Sequence, residues 1–76
     1  MTKKKLNWAL LSTARINERL IPAIRESKNS HLLAVASRNL KKSKEYGKKF
    51  NIPKTYGSYE ELLLDENIDV VYISLP

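Results

Sequence analysis

The residues able to do chemistry fall in three short runs. Ser12-Thr13-Ala14-Arg15-Ile16 follows the apolar run from Leu6 to Leu11, Ser37-Arg38 closes a second apolar run, and Ser74-Leu75-Pro76 closes a third. A strand that turns into a helix through small residues leaves the first amides of that helix without internal partners, and such amides can cradle a phosphate. About 20 residues further on, the end of the next strand is where a ribose is read. An acid there accepts from a ribose 2′-hydroxyl and repels a 2′-phosphate. Here the place is held by Ser37, with Arg38 after it and Lys42 one turn into the following helix. A guanidinium clamps a phosphate bidentately and stacks on adenine, and an ammonium adds charge. These residues have the layout of a dinucleotide site, with Arg38 and Lys42 placed where a ribose phosphate could be met. The plainer alternative is an ordinary strand-to-helix turn with an arginine covering a strand end.

The cradle departs from the dinucleotide fingerprint G-x-G-x-x-G/A. Its three marked positions are Ser12, Ala14 and Asn17, with no glycine among them. The turn is harder for such residues, and the Ala14 methyl stands where a pyrophosphate must approach. On this motif alone, any strand-to-helix turn fits equally well.

Composition narrows the class. Seventy-six residues make one domain at most, and a chain this short buries roughly 60% of its unfolded surface. No apolar run approaches the roughly 20 residues that span a bilayer, and polar residues interrupt the stretch after Lys3-Lys4-Lys5, so neither a signal peptide nor a membrane partner is expected. Cysteine is absent, which excludes disulfides and thiolate metal sites and fits a cytoplasmic protein. No metal site is expected. His31, the lone histidine, precedes the second strand and reads as a surface residue.

The net charge of +6 is uneven. All 14 basic residues and three acids lie in residues 1–54, whereas residues 55–76 carry five acids and no base. A basic chain invites a nucleic-acid partner. The lysines, however, interleave with an amphipathic pattern and lack an aromatic stacking platform, so they read as a solvated face.

The elements alternate. Leu6–Leu11 is too short for a buried helix and reads as a strand covered on both faces. Ser12 or Thr13 is expected to cap a helix whose inner face is Ile16, Leu20, Ala23 and Ile24. Pro22 lacks the amide that would bond Glu18, so a kink or early end is expected there. Lys28-Asn29-Ser30 reads as the exit turn, Leu32–Ala36 as a second buried strand, and Leu40–Phe50 as a helix with Leu40, Ser43, Gly47 and Phe50 inward. A short strand over Lys54–Tyr56 follows. Ser58 and Glu61 form a capping box for a helix through Leu64, and Val70–Ile73 is a β-branched fourth strand. The expected fold is α/β, the first half of a Rossmann-like doubly wound parallel sheet, β-α-β-α-β-α-β in strand order 3-2-1-4. Its switch point lies between strands one and four, bringing Ser12-Thr13-Ala14 to Ser74-Leu75-Pro76.

From Leu6 to Pro76 the chain resembles the N-terminal half of the nucleotide-binding domain of the Gfo/Idh/MocA oxidoreductase family. The carriers are Trp8 through Ile16, Val35-Ala36-Ser37-Arg38-Asn39, Tyr56-Gly57-Ser58-Tyr59-Glu60-Glu61-Leu62-Leu63, and Ile68 through Pro76, in that order and spacing. Family members usually keep glycine where Ala9 and Ser12 stand, and some carry alanine at the position of Ala14. The resemblance implies an NAD(P)-dependent dehydrogenase acting on a sugar, polyol or related small alcohol, and within that family pattern Ser37, Arg38 and Lys42 favour NADP over NAD. It places the amides of Thr13, Ala14, Arg15 and Ile16 at the pyrophosphate, and Ser74, Leu75 and Pro76 beside the ribose and nicotinamide. The family's catalytic lysine, in a Glu-Lys-Pro motif, and its substrate-domain histidine have no counterpart in these residues. The expectation is therefore a partial dinucleotide-binding domain over residues 1–76 without a substrate domain or catalytic residues, inactive alone, with an unpaired fourth strand through which copies could associate. A small non-catalytic binding or regulatory module on the same fold is the alternative.

Overall fold

Three largely apolar runs and the short segment Lys54-Thr55-Tyr56 become strands, and the helices form between them. The computed structural model describes residues 5–74. The elements are β1 (Leu6–Leu11), α1 (Asn17–Glu26), β2 (Ser30–Ala36), α2 (Leu40–Phe50), β3 (Lys54–Tyr56), α3 (Tyr59–Leu63) and β4 (Val70–Ile73). The strands form one parallel sheet in the order β3-β2-β1-β4, the doubly wound arrangement the sequence implies. No helix among the described residues is long and apolar enough to cross a membrane.

The central strands β1 and β2 are buried on two sides, and the two sides differ in side-chain size. Leu10, Leu32 and Val35 meet Ile21, Ile24 and Ile52 on the face covered by α1 and α2. Ala9, Leu11, Ala34 and Ala36 meet Leu62 of α3 on the other. A short helix can close on that second face because alanines leave room for it. A bulge in β2 sets this pattern. Trp8 pairs with Leu32 but Ala9 pairs with Ala34, so Leu33 is the extra residue and the side-chain alternation shifts there.

Several local expectations need correction. Neither Ser12 nor Thr13 caps α1; Ile16 occupies the cap position and gives no side-chain bond. The first turn is instead closed by tight i→i−3 bonds from Asn17, Glu18 and Arg19 to Ala14, Arg15 and Ile16. The buried face of α1 is Asn17, Ile21 and Ile24, an i, i+4, i+7 stripe with Leu20 packed at its edge, and this rotation leaves Ile16 and Ala23 exposed. Pro22 does not end the helix, which runs four residues further, with Ile21 and Ile24 buried on both sides of it. Ser30 belongs to β2 rather than to the turn, where its Oγ accepts from Trp8 Nε1 at 3.1 Å. In α2, Ser43 and Gly47 are buried and Phe50 packs on the core, but Leu40 is exposed at the helix start. α3 ends at Leu63, with Leu64 as its C-cap.

Two side-chain caps set the helices that flank the site. Asn39 Oδ1 accepts from the Lys42 amide at 3.2 Å, and Ser58 Oγ accepts from the Glu61 amide at 3.2 Å. At the opposite end of the sheet, Asp69 accepts from the Asn7 amide at 2.8 Å, and Asn7 Nδ2 donates to the Asn67 carbonyl at 2.8 Å. These bonds tie the entrances of β1 and β4 together.

Candidate functional site

The carboxyl ends of β1 and β4 are clasped by serine. Ser12 Oγ lies 2.7 Å from the Ser74 carbonyl, to which it donates, and 2.9 Å from Ser74 Oγ. Both serines are buried. The switch-point crevice expected between these strands is thus closed at its floor by hydroxyls rather than opened by glycines. Ser12 adopts φ 126°, a region that L side chains avoid. A residue held in such a conformation costs about 1–3 kcal/mol and persists only where its surroundings over-determine it.

The same hydroxyl changes the cradle's donor set. Ser12 Oγ accepts from the Ala14 amide at 3.2 Å, so this donor is already engaged. The amides of Thr13, Arg15 and Ile16 make no hydrogen bond among the described residues, whereas those of Asn17, Glu18 and Arg19 close the first turn. Of the four amides expected to meet an anion, three are free and one is satisfied internally. The Asn17 side chain returns to the loop from α1, donating from Nδ2 to the Ser12 carbonyl at 2.8 Å.

Five of the expected residues meet at one cleft. Ser12, Thr13, Ser37, Arg38 and Lys42, with Asn39 and Tyr59, line a space of about 330 Å³ above the ends of β1 and β2. The Ser37 hydroxyl is not free for a ligand. It donates to the Asn39 carbonyl at 2.6 Å, accepts from the Asn39 amide at 3.2 Å and lies 2.8 Å from Ser43 Oγ. Ser37 thereby fixes the turn that presents Arg38. The Arg38 guanidinium is exposed and sits 6.0 Å from the centroid of the Tyr59 ring. Neither Arg38 nor Lys42 makes an ion pair among the described residues, and no carboxylate lines the cleft. A shallower depression of about 240 Å³ adjoins it, sharing Thr13 and Lys42 and adding Glu45, Tyr46 and Lys49.

The remaining expected residues lie elsewhere. Arg15 and Ile16 are exposed and do not line the cleft; Ile16 belongs to a separate apolar dimple with Arg19, Leu20, Ala23 and Tyr72. Ser74 is buried beneath Ser12, and Leu75 and Pro76 lie outside the described residues. Asn39 and Tyr59 line the cleft as well, and the sequence singles out neither for it, although an asparagine before a helix and an aromatic beside a capping serine are both legible. In the linear pattern Asn17 is only a missing glycine. Its Oδ1 is buried without a partner among the described residues, as is the Tyr46 hydroxyl. Burial holds the Tyr46 phenol above its ordinary pKa.

Comparisons with known proteins bear on this site. A family model described as an oxidoreductase family with the NAD-binding Rossmann fold matches residues 6–76. The chain is 43% identical over 68 residues to a trans-1,2-dihydrobenzene-1,2-diol dehydrogenase of Xenopus laevis, covering 87% of this chain and 21% of that protein. It is 41% identical over 71 residues to the dehydrogenase of the same name from Mus musculus, covering 91% of this chain and 21% of that protein. Among solved structures, an NAD binding oxidoreductase from Klebsiella pneumoniae superposes with a TM-score of 0.87 at 28% identity, over 95% of this chain and 21% of its own. A 3-ketoreductase from Actinomadura kijaniata in complex with NADP superposes with a TM-score of 0.86 at 26% identity, over 96% of this chain and 23% of its own. The chain thus spans about a fifth of the length of the proteins it matches.

Proposed function

Because the chain belongs to the Gfo/Idh/MocA oxidoreductase family, with its NAD-binding Rossmann fold, we propose that it is the cofactor-holding part of an NADP-dependent dehydrogenase or reductase acting on a sugar, polyol or related small alcohol. The observation that carries the cofactor choice is the cleft at the end of β2. Among the described residues it presents Arg38 and Lys42 without ion partners and contains no carboxylate. A 2′-phosphate would meet two cations there, and a bare ribose would find no acid to accept its 2′-hydroxyl. The ketoreductase that shares this fold is bound to NADP, which supports the same choice.

The donor set fits a dinucleotide. The free amides of Thr13, Arg15 and Ile16 supply the pyrophosphate contacts, with the positive end of α1 behind them. Arg38 and Lys42 take the 2′-phosphate, Ser37 and Asn39 hold the turn that carries Arg38, and Tyr59 steadies its guanidinium. Ser74, followed by Leu75 and Pro76, borders the ribose and nicotinamide side. When bound, the cofactor supplies or accepts a hydride. No Glu-Lys-Pro motif occurs in the 76 residues, so these residues by themselves are expected not to turn over an alcohol. The absence of cysteine supports a cytoplasmic setting.

Calorimetric titration tests the assignment. A charge-assisted contact to phosphate is worth roughly 1.5–3 kcal/mol, about ten- to hundredfold in affinity. Arg38→Ala is expected to weaken NADP by that factor and to leave NAD nearly unchanged, with a smaller NADP-selective loss for Lys42→Ala. Equal losses for both dinucleotides would assign Arg38 to the fold rather than to the 2′-phosphate.

A further inference from the structure

A cradle without glycine must obtain its shape from something else. Ser12 stands at φ 126°, where glycine is the residue of choice. One side chain grips the backbone of that residue. Asn17 is fully buried, at 0% exposure, and its Nδ2 donates to the Ser12 carbonyl at 2.8 Å. Its root is fixed as well, since the Asn17 amide donates to the Ala14 carbonyl at 3.0 Å. We propose that Asn17 is the positioning residue of the cradle: its carboxamide holds the Ser12 carbonyl, and so locks the left-handed turn that glycines ordinarily supply through conformational freedom. This rests on the dinucleotide-binding function proposed above.

The residue type follows from the geometry. Reaching a carbonyl five residues earlier from the first position of α1 needs a short side chain ending in an N–H donor. Alanine and glycine have no donor, and aspartate would set a carboxylate against a carbonyl. With the turn locked, the Ser12 hydroxyl is free to bridge the Ser74 carbonyl and the Ala14 amide. The amides of Thr13, Arg15 and Ile16 are left for the anion. Asn17 Oδ1 is buried without a hydrogen-bond partner among the described residues, so Nδ2 carries the hold on the loop.

The test is a double-variant cycle on the 76-residue chain, read by melting temperature and by ¹H–¹⁵N shift titration with NADP⁺ and NAD⁺. Asn17→Ala is expected to weaken both dinucleotides equally, by about tenfold, because the pyrophosphate is common to them. Ser12→Gly is expected to restore that binding in the double variant and to cancel most of the loss in melting temperature, because glycine needs no lock. A folded Asn17→Ala variant that binds as tightly as the unmodified chain overturns the proposal. So does a loss of binding and stability that Ser12→Gly leaves uncorrected. Should the unmodified chain take neither dinucleotide, the proposed function fails while the melting cycle still decides the role of Asn17. If Asn17→Ala does not fold, a double variant that does fold is the same rescue. If neither folds, hydrogen exchange of the Asn17 carboxamide in the unmodified chain decides: protected protons support the lock, and freely exchanging ones overturn it.

Discussion

At the scale of single residues, Asp65 is the group most tightly coupled to its surroundings outside the cleft. Its Oδ2 accepts from the Tyr56 hydroxyl at 2.5 Å and pairs with Lys54 Nζ at 3.0 Å, while Oδ1 accepts from the Asn67 amide at 2.9 Å. The Tyr56 hydroxyl, then the Asn67 amide and Lys54, hold the carboxyl down at about 2. The bond to Asp65, then burial, pushes the Tyr56 phenol up to about 12. The two shifts act in opposite directions. A carboxyl with a lowered pKa contributes stability that is present above its ordinary pKa and lost as pH falls through the folded one. A phenol with a raised pKa contributes stability that is present below 10 and lost as pH rises toward 12. Stability should therefore be flat between roughly pH 5 and 9, where neither group titrates, and should fall on both sides. Asp65→Asn is expected to lower the plateau and to flatten both limbs in urea melts taken across pH. A variant with unchanged limbs would mean that other groups set them.

Among the elements, α2 carries most of the positioning. It begins at the Asn39 cap, presents Lys42 to the cleft, buries Ser43 against Ser37, and lines a depression with Thr13 of the loop through Tyr46. It reaches the sheet closely because of Gly47, where an added Cβ would stand 2.5 Å from Thr55 Cγ2 and 3.3 Å from the Ile52 carbonyl oxygen. Thr55 is β-branched and fixed in β3, so it cannot swing aside cheaply. Gly47→Ala would gain up to about 1 kcal/mol in helix propensity against an overpacking cost of about 1–3 kcal/mol. A net loss of stability is expected, together with weaker NADP binding as Lys42 shifts with its helix. A variant as stable as the parent in denaturant titration would mean that α2 can lift from β3 without penalty.

For the whole molecule, the sheet is covered unevenly. β1 and β2 are interior, whereas β4 pairs with β1 alone among the described residues. Val71 packs inward against the alanine-rich face, but Ile73 is 62% exposed. The strand carries no charge to blunt its open edge, and such an edge is a template for another chain. The isolated chain is expected to self-associate through β4. Ile73→Lys should shift it toward monomer in sedimentation velocity without loss of helical circular dichroism, because that side chain leaves no core gap. A parent chain that is already monomeric at high concentration would contradict this.

Periodicity and punctuation in the sequence determined the elements and their order. Short apolar runs cannot be helices of this length, Ser58 and Asn39 sit where helix amides need acceptors, and alternating strands and helices permit few topologies. The strand order 3-2-1-4 follows from those rules, as does the convergence of Ser12, Thr13, Ser37, Arg38 and Lys42 on one cleft. The tertiary structure decided what those residues do there. Ile16 and Ala23 match a helical stripe by spacing, yet the first turn of α1 begins at Asn17 and turns both outward. Ser37 closes β2, where the sequence pattern suggests a ribose is read, but its hydroxyl is spent on Asn39 and Ser43. Ser12 and Asn17 look like lost glycines in the linear pattern. In three dimensions a hydroxyl and a carboxamide, 2.7 Å and 2.8 Å from their carbonyl partners, hold the turn instead. Local sequence encodes backbone preference, whereas a hydrogen bond between residues 62 positions apart forms only once the sheet has brought β1 and β4 together.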